Sequence, residues 1–175
     1  MSRADSASST VSSEGFVSTA IIDACEERDI MTEDIPNAFM QAPLPMKDGD
    51  ERIHMKITGA PVDVLVEMDP NLCEPHVVCE KDKKTIHVHV SRAICDMSQA
   101  ASQWHKMFEK DSESIEFEFN PCDACVANRT RRGTQHTIGF HVDDTMFSHI
   151  QPCVNDKFDA WLQRHHETHK PVTLH

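Results

Sequence analysis

Two adjacent carboxylates, Asp143 and Asp144, interrupt a run that otherwise reads as a β-strand. Ile138 to Val142 are mostly apolar or aromatic, and Met146 and Phe147 resume that pattern. An unpaired buried charge is costly, so a buried strand has no structural use for this pair in its interior. At the bend of a hairpin the two acids do no harm and are able to hold a metal. Adjacent strand side chains point to opposite faces, so only one of them aims straight at a given site. The plain alternative is a polar β-turn between two short strands.

The surrounding chain supplies the context. Residues 1–15 are mainly Ser, Thr, Ala and Asp with little to bury, which predicts a disordered Ser-rich tail. Val17, Ala20, Ile21 and Ala24 fall at helical spacing. Ile30, Thr32 and Asp34 share one face of a short strand that Pro36 must end, because proline has no N–H to donate. Asp34 therefore sits at a strand end, where a functional side chain can reach a cleft. Residues 52–57 alternate as a strand, 62–68 fit a short helix, and 76–80 with 85–90 fit a β-hairpin around a charged turn at 81–84. The clearest helix covers 96–115, with Met97, Ala100, Trp104 and Phe108 on one face and Asp96 or Ser98 as N-cap. Strands are predicted over 117–129 and 134–147. Val154, Phe158, Trp161 and Leu162 mark a last amphipathic helix with Pro152 near its start. This order predicts an α+β fold, an antiparallel sheet with helices packed on one face.

Composition narrows the function. The 175 residues carry 17 Lys and Arg against 29 Asp and Glu, a formal charge of -12. That balance argues against a surface built to bind nucleic acid unaided, yet it allows a carboxylate–metal site. There is no Tyr, while His reaches 12 and Cys 7. The cysteines are odd in number and scattered, and no apolar leader precedes them, so a reduced, cytoplasmic chain is expected. No stretch is long and apolar enough to cross a membrane.

Four segments then point to one family. Asp34-Ile-Pro-Asn-Ala-Phe39-Met-Gln-Ala resembles the first palm motif of the reverse transcriptases of copia-type LTR retrotransposons, commonly Asp-Val-x-x-Ala-Phe-Leu-x-Gly. Ala93-Ile-Cys-Asp-Met-Ser-Gln99-Ala-Ala-Ser-Gln-Trp104 is similar to that family's Ala-Leu-Tyr-Gly-Leu-Lys-Gln-Ala-Pro-Arg-x-Trp. Phe119-Asn-Pro-Cys-Asp123-Ala-Cys125-Val fits the segment between, and His141-Val-Asp143-Asp144 resembles Tyr-Val-Asp-Asp. All four occur in the family's order at compatible spacing. The resemblance implies a polymerase palm and Mg²⁺-dependent DNA synthesis on an RNA or DNA template-primer from dNTPs. It implies that Asp34 and Asp143 hold two metals with Asp144 in support. Phe39 would lie under the nucleotide sugar, and Gln99 and His141 would line the substrate site. It covers residues 16–175, read as a partial palm domain lacking fingers and thumb.

The departures imply decay. His54, Cys95, His105 and His141 stand where the family tends to have Tyr, and each His or Cys codon is one transition from a Tyr codon. The family's Gly after its Tyr is Asp96, and its Lys and Arg flanking the Gln are Ser98 and Ser102. Two positive charges that would face phosphate are absent, so the resemblance implies weak polymerase activity or none. A competing expectation is a non-catalytic zinc-binding or interaction module. Cys122-x-x-Cys125 precedes His136 and His141, with ten residues between the pairs, close to a Cys₂His₂ spacing.

Overall fold

The computed structural model describes residues 10–44, 53–95, 97, 99–168 and 171–174. The chain forms two compact units, residues 1–43 with 93–175, and residues 44–92. In chain order the first elements are helix α1 (Ser13–Cys25), strand β1 (Asp29–Asp34) and the one-turn helix α2 (Ala38–Gln41). The Ser-rich stretch read as tail up to residue 15 turns helical at Ser13. The Ser12 hydroxyl accepts a hydrogen bond from Gly15 N at 2.9 Å, so a serine of that stretch supplies the N-cap a helix start requires.

The smaller unit holds β2 (His54–Thr58), α3 (Ala60–Met68), α4 (Pro70–Cys73), a 3₁₀ turn (Glu74–His76), β3 (Val78–Glu80) and β4 (Lys83–His89). Its three strands form an antiparallel sheet in the order β2-β4-β3. The hairpin turn is tighter than the sequence predicts, because Lys81 and Asp82 both take positive φ and bend the chain in two residues.

The larger unit resumes with α5 (Ala100–Glu113), β5 (Glu118–Asn120), β6 (Asp123–Arg131), β7 (Thr134–His141), β8 (Asp144–His149), α6 (Pro152–His165) and β9 (Val172–Leu174). Helix α5 starts later than the predicted 96, and the caps assigned to Asp96 and Ser98 lie outside the described residues. The predicted strand over 134–147 is two strands, broken at Val142 and Asp143. Its six strands make one antiparallel sheet in the order β5-β6-β7-β8-β1-β9. The chain is an α+β fold, as the element order predicts.

Strand alternation sorts the sheet into two faces. Met31, Ile138, Phe140 and Phe147 point to the face covered by α5 and α6, where they pack with Trp104, Phe108 and Phe158. Ring pairs such as Phe108–Phe140 at 4.8 Å and Phe147–Phe158 at 5.0 Å fix this core. Helix α1 adds a layer on the opposite face. Ser148 Oγ donates to Asp23 at 2.6 Å, and Arg28 donates to Thr137 at 2.9 Å. Thr137 and Ser148 are cross-strand partners on that face. A sheet surface of hydroxyls selects the polar side of the helix. Thr19 and Asp23 are buried, while Val17 and Ile21 are 53% and 58% exposed. The apolar stripe of α1 thus points outward, the reverse of the usual amphipathic arrangement.

Candidate active site

The site follows from the register of three strands. β1 runs antiparallel to β8, with Met31 facing Phe147 in the core and Asp34 facing Asp144 at the end. β8 in turn pairs with β7, setting Asp144 opposite His141. Asp34, Asp144 and His141 therefore stand in a row across three strands. Directly opposed side chains in such a pair have Cβ atoms about 4.5–5.5 Å apart. Between His141 and Asp144 the chain reverses in two residues, Val142 and Asp143. The bend falls one residue earlier than the paired acids suggest, with Asp143 in the turn and Asp144 opening β8.

That bend is held under strain. Val142 has φ +60°, a left-handed conformation that is costly for a β-branched residue. Two bonds from the body of the unit impose it. Trp104 Nε1 donates to the Val142 carbonyl at 2.5 Å, and Ile35 N donates to the Asp143 carbonyl at 2.9 Å. Trp104 is only 1% exposed. The sequence marked it as a core residue and missed its second role, because nothing in a helical pattern shows which carbonyl an indole N–H will reach.

Asp34, His141 and Asp144 line a groove of about 700 Å³. The groove is otherwise mostly apolar, with Val11, Phe16, Val126, Met146 and Val172 among its walls. Phe16 and Thr19 bring α1 across it as a roof. The N-terminus of α1 is latched to the sheet by Asp123, whose Oδ2 accepts from Ser12 N at 2.9 Å and Ser12 Oγ at 2.8 Å. Burial pushes the Asp123 carboxyl up, but hydrogen bonds from Ser12 and Cys125 outweigh it and hold the group below its ordinary value. A Cβ at Gly15 would collide with Asp123 Oδ2, so any other residue there would make that carboxylate shift from its bonds to Ser12.

Glu33 points to the other face and is buried, and among the described residues neither oxygen has a well-aligned hydrogen bond. Burial, reinforced by the Asp159 charge and partly offset by nearby Thr168, pushes its carboxyl up to about 7.

The other site residues distribute as follows. Phe39 is half-buried and packs against the core, and Gln99 immediately precedes α5. Neither lines the groove. Among the described residues no three His, Cys, Asp or Glu side chains are gathered closely enough to hold one ion. Asp34 is half-buried and Asp144 is exposed. Carboxylate oxygens are the ligand type that a hard cation such as Mg²⁺ takes, with water and phosphate in its remaining positions. Asp143 at the turn is not drawn to the same point, so the side chains as they stand do not form a two-ion clamp.

The zinc expectation does not assemble. Cys125 and His136 lie on the core face of β6 and β7, while His141 lies on the groove face. Arg129, not Cys125, sits opposite His136. His136 is fully buried, and its Nδ1 accepts from Arg129 Nε at 3.1 Å. Burial pushes the Cys125 thiol up to about 12, with the Asp123 charge adding to the shift. The signal was available in the sequence. His136 and His141 are five residues apart in one strand, and an odd separation puts them on opposite faces.

No known protein family and no curated protein matches the sequence. Among solved structures, telomerase from Candida albicans in complex with a fragment of telomeric RNA aligns with a TM-score of 0.40 and 11% identity. The alignment covers 99% of this chain and 33% of that one, so the chain spans about a third of that neighbour's length. A likeness this slight says nothing about the function of this chain.

Proposed function

We propose that the larger unit is a nucleotidyl-transferase palm descended from the reverse transcriptases of copia-type retrotransposons, with weak polymerase activity or none. The observation that carries this reading is the register that sets Asp34 opposite Asp144 across the end of β1 and β8, with Asp143 in the adjoining turn. The four motif segments led to the same three acids from sequence alone.

In this reading Asp34 and Asp144 hold Mg²⁺ through their carboxylates, and Asp143 supports from the bend. The ion would supply the positive charge that stabilises a phosphoryl transition state between primer hydroxyl and nucleotide α-phosphate. The chain's own contribution is placement. Trp104 and Ile35 fix the two turn carbonyls, so the acids stand on a rigid hairpin. His141 presents an imidazole at the groove where the family tends to have a phenol.

Mn²⁺ titration followed by water-proton relaxation tests the site without requiring turnover. One bound ion is expected, lost in Asp34→Asn and in Asp144→Asn. A wild-type chain that holds no ion, or variants that hold it equally well, would overturn the reading. Primer extension with an Asp143→Asn control then separates an active palm from a relic that has kept its metal.

A further inference from the structure

The chain is acidic overall, yet its cations are not spread evenly. Arg129 and Arg131 lie two apart on β6 and so share one face. Lys157, Trp161 and Arg164 recur at helical spacing along α6 and so share one side of it. The fold brings the two sets together around one cavity of about 470 Å³, closed at one edge by the turn after α5. Glu116 is the single acid in its lining, and it is already paired with Arg131 at 2.6 Å. Four cations face one acid in a molecule of charge -12.

The crowding is unfavourable without a counter-ion. Arg129 is held over the Phe117 ring at 4.3 Å, and it spends one donor on His136 and another on the Ile115 carbonyl. Burial, with the Arg131 charge beside it, pulls the Arg129 guanidinium down to about 10, and Glu116 offsets only part of that. Lys157 is exposed and has no ion pair or hydrogen bond among the described residues. Arg164 uses only its Nε among them, donating to Ala160 O at 2.8 Å, so its terminal nitrogens are free to reach outward.

We infer that this cavity binds a polyphosphate group, with Arg131, Lys157 and Arg164 as the contacting cations and Arg129 as the buried charge behind them. Phosphate oxygens accept several charge-assisted hydrogen bonds at once, and arginine forks match their geometry. The volume falls in the range of small-ligand sites. The cavity is separate from the carboxylate row. Arg129 faces His136, five residues before His141, which is about 17 Å at strand spacing. The phosphates can come from a free nucleotide or from the backbone of a nucleic acid, and the chemistry recognised is the same.

Isothermal titration of the whole chain with inorganic triphosphate at low salt tests this. Binding is expected, weakening steeply as salt rises. The Lys157→Gln/Arg164→Gln double variant changes exposed side chains, and its fold is checked by near-UV circular dichroism. It should lose at least about tenfold in affinity. Glu116→Gln should bind severalfold more tightly, because it removes the one acid that competes for Arg131, which stays held beside the cavity by its bond to the Ile115 carbonyl at 3.2 Å. Asp34→Asn should bind as well as the parent, which keeps this inference distinct from the metal site. Competition with ATP and with an end-phosphorylated oligothymidine separates the two sources of phosphate. No binding by the parent at low salt, or an affinity unchanged in the double variant, overturns the inference.

Discussion

Val142 carries a conformation its side chain disfavours, and the residues that impose it set the geometry of the acids beside it. A left-handed conformation costs an L-residue roughly 1–2 kcal/mol, and glycine escapes that cost while giving up some unfolded-chain entropy. Val142→Gly should therefore stabilise the chain by up to about 1 kcal/mol, read as a raised urea midpoint with an unchanged slope. A lowered midpoint would mean that the valine's packing outweighs its strain. A second residue governs the response to acid. Burial, reinforced by the Arg129 charge, pulls His136 down from 6.5 to about 3. The unfolded chain takes a proton near 6.5 and the folded chain resists until about 3, so the unfolded state binds more protons across that window. The stability is fully present above the unfolded value and is lost as pH falls through the window, by at most about 1.4 kcal/mol per pH unit. His136→Gln has no such titration and keeps an acceptor for Arg129. Its urea midpoint should fall less between pH 6 and 4 than the parent's, and equal slopes would show that His136 is not the group responsible. Neither residue announces itself in the sequence, since φ and desolvation are both imposed by distant neighbours.

Helix α1 shows what a periodic pattern does and does not convey. Val17, Ala20, Ile21 and Ala24 correctly signal a helix, because that spacing is a property of the segment alone. Their orientation depends on what the helix meets, and here it meets Thr137 and Ser148 rather than an apolar surface. The same limit applies to the site. The bend at Asp143 could be read locally, from apolar residues on both sides of two acids. The pairing of Asp34 with Asp144 joins segments far apart in the chain, and only the motif resemblance brought them together beforehand. The zinc spacing failed because a count of residues ignores which face each one occupies. The α1 latch permits a test with an unusual sign. Gly→Ala inside a helix normally stabilises by about 1 kcal/mol. At Gly15 the new methyl would strike Asp123 Oδ2, so Gly15→Ala should destabilise and speed amide hydrogen exchange across Ser13–Cys25. An Asp123→Ala background removes that collision and leaves Ser12 Oγ at 3.1 Å, a contact the hydroxyl can relieve by shifting once its carboxylate acceptor is gone, so the same substitution should become stabilising. If Gly15→Ala has one sign in both backgrounds, the docking of α1 on Asp123 is not what that glycine serves.

At the scale of the whole molecule, the chain forms two compact units, one inserted in the sequence of the other. Hydropathy could not reveal this, because both units alternate strands and helices with similar periodicity. The junction shows it directly. The larger unit's chain leaves at Pro43 and returns at Ala93, and Ala93 N donates to the Ala42 carbonyl at 3.1 Å. Both alanines are fully buried, so the two ends are held together by the larger unit itself. Among the described residues its core runs from Met31 to Leu162 and is drawn from 1–43 and 93–175. A short loop costs little entropy to close when its ends already meet. Replacing residues 44–92 with a brief Gly-Ser bridge should therefore leave the larger unit folded. Near-UV circular dichroism from buried Trp104 should persist, and urea unfolding should stay cooperative with a smaller slope, in proportion to the surface removed. The shortened chain should also keep Mn²⁺ at Asp34 and Asp144 and triphosphate at Arg131, Lys157 and Arg164, since all of these residues lie outside 44–92. Loss of the near-UV signal would show that the larger unit depends on the inserted one to fold. Retention of the signal with loss of both ligands would place the binding determinants in the inserted unit, against both site assignments.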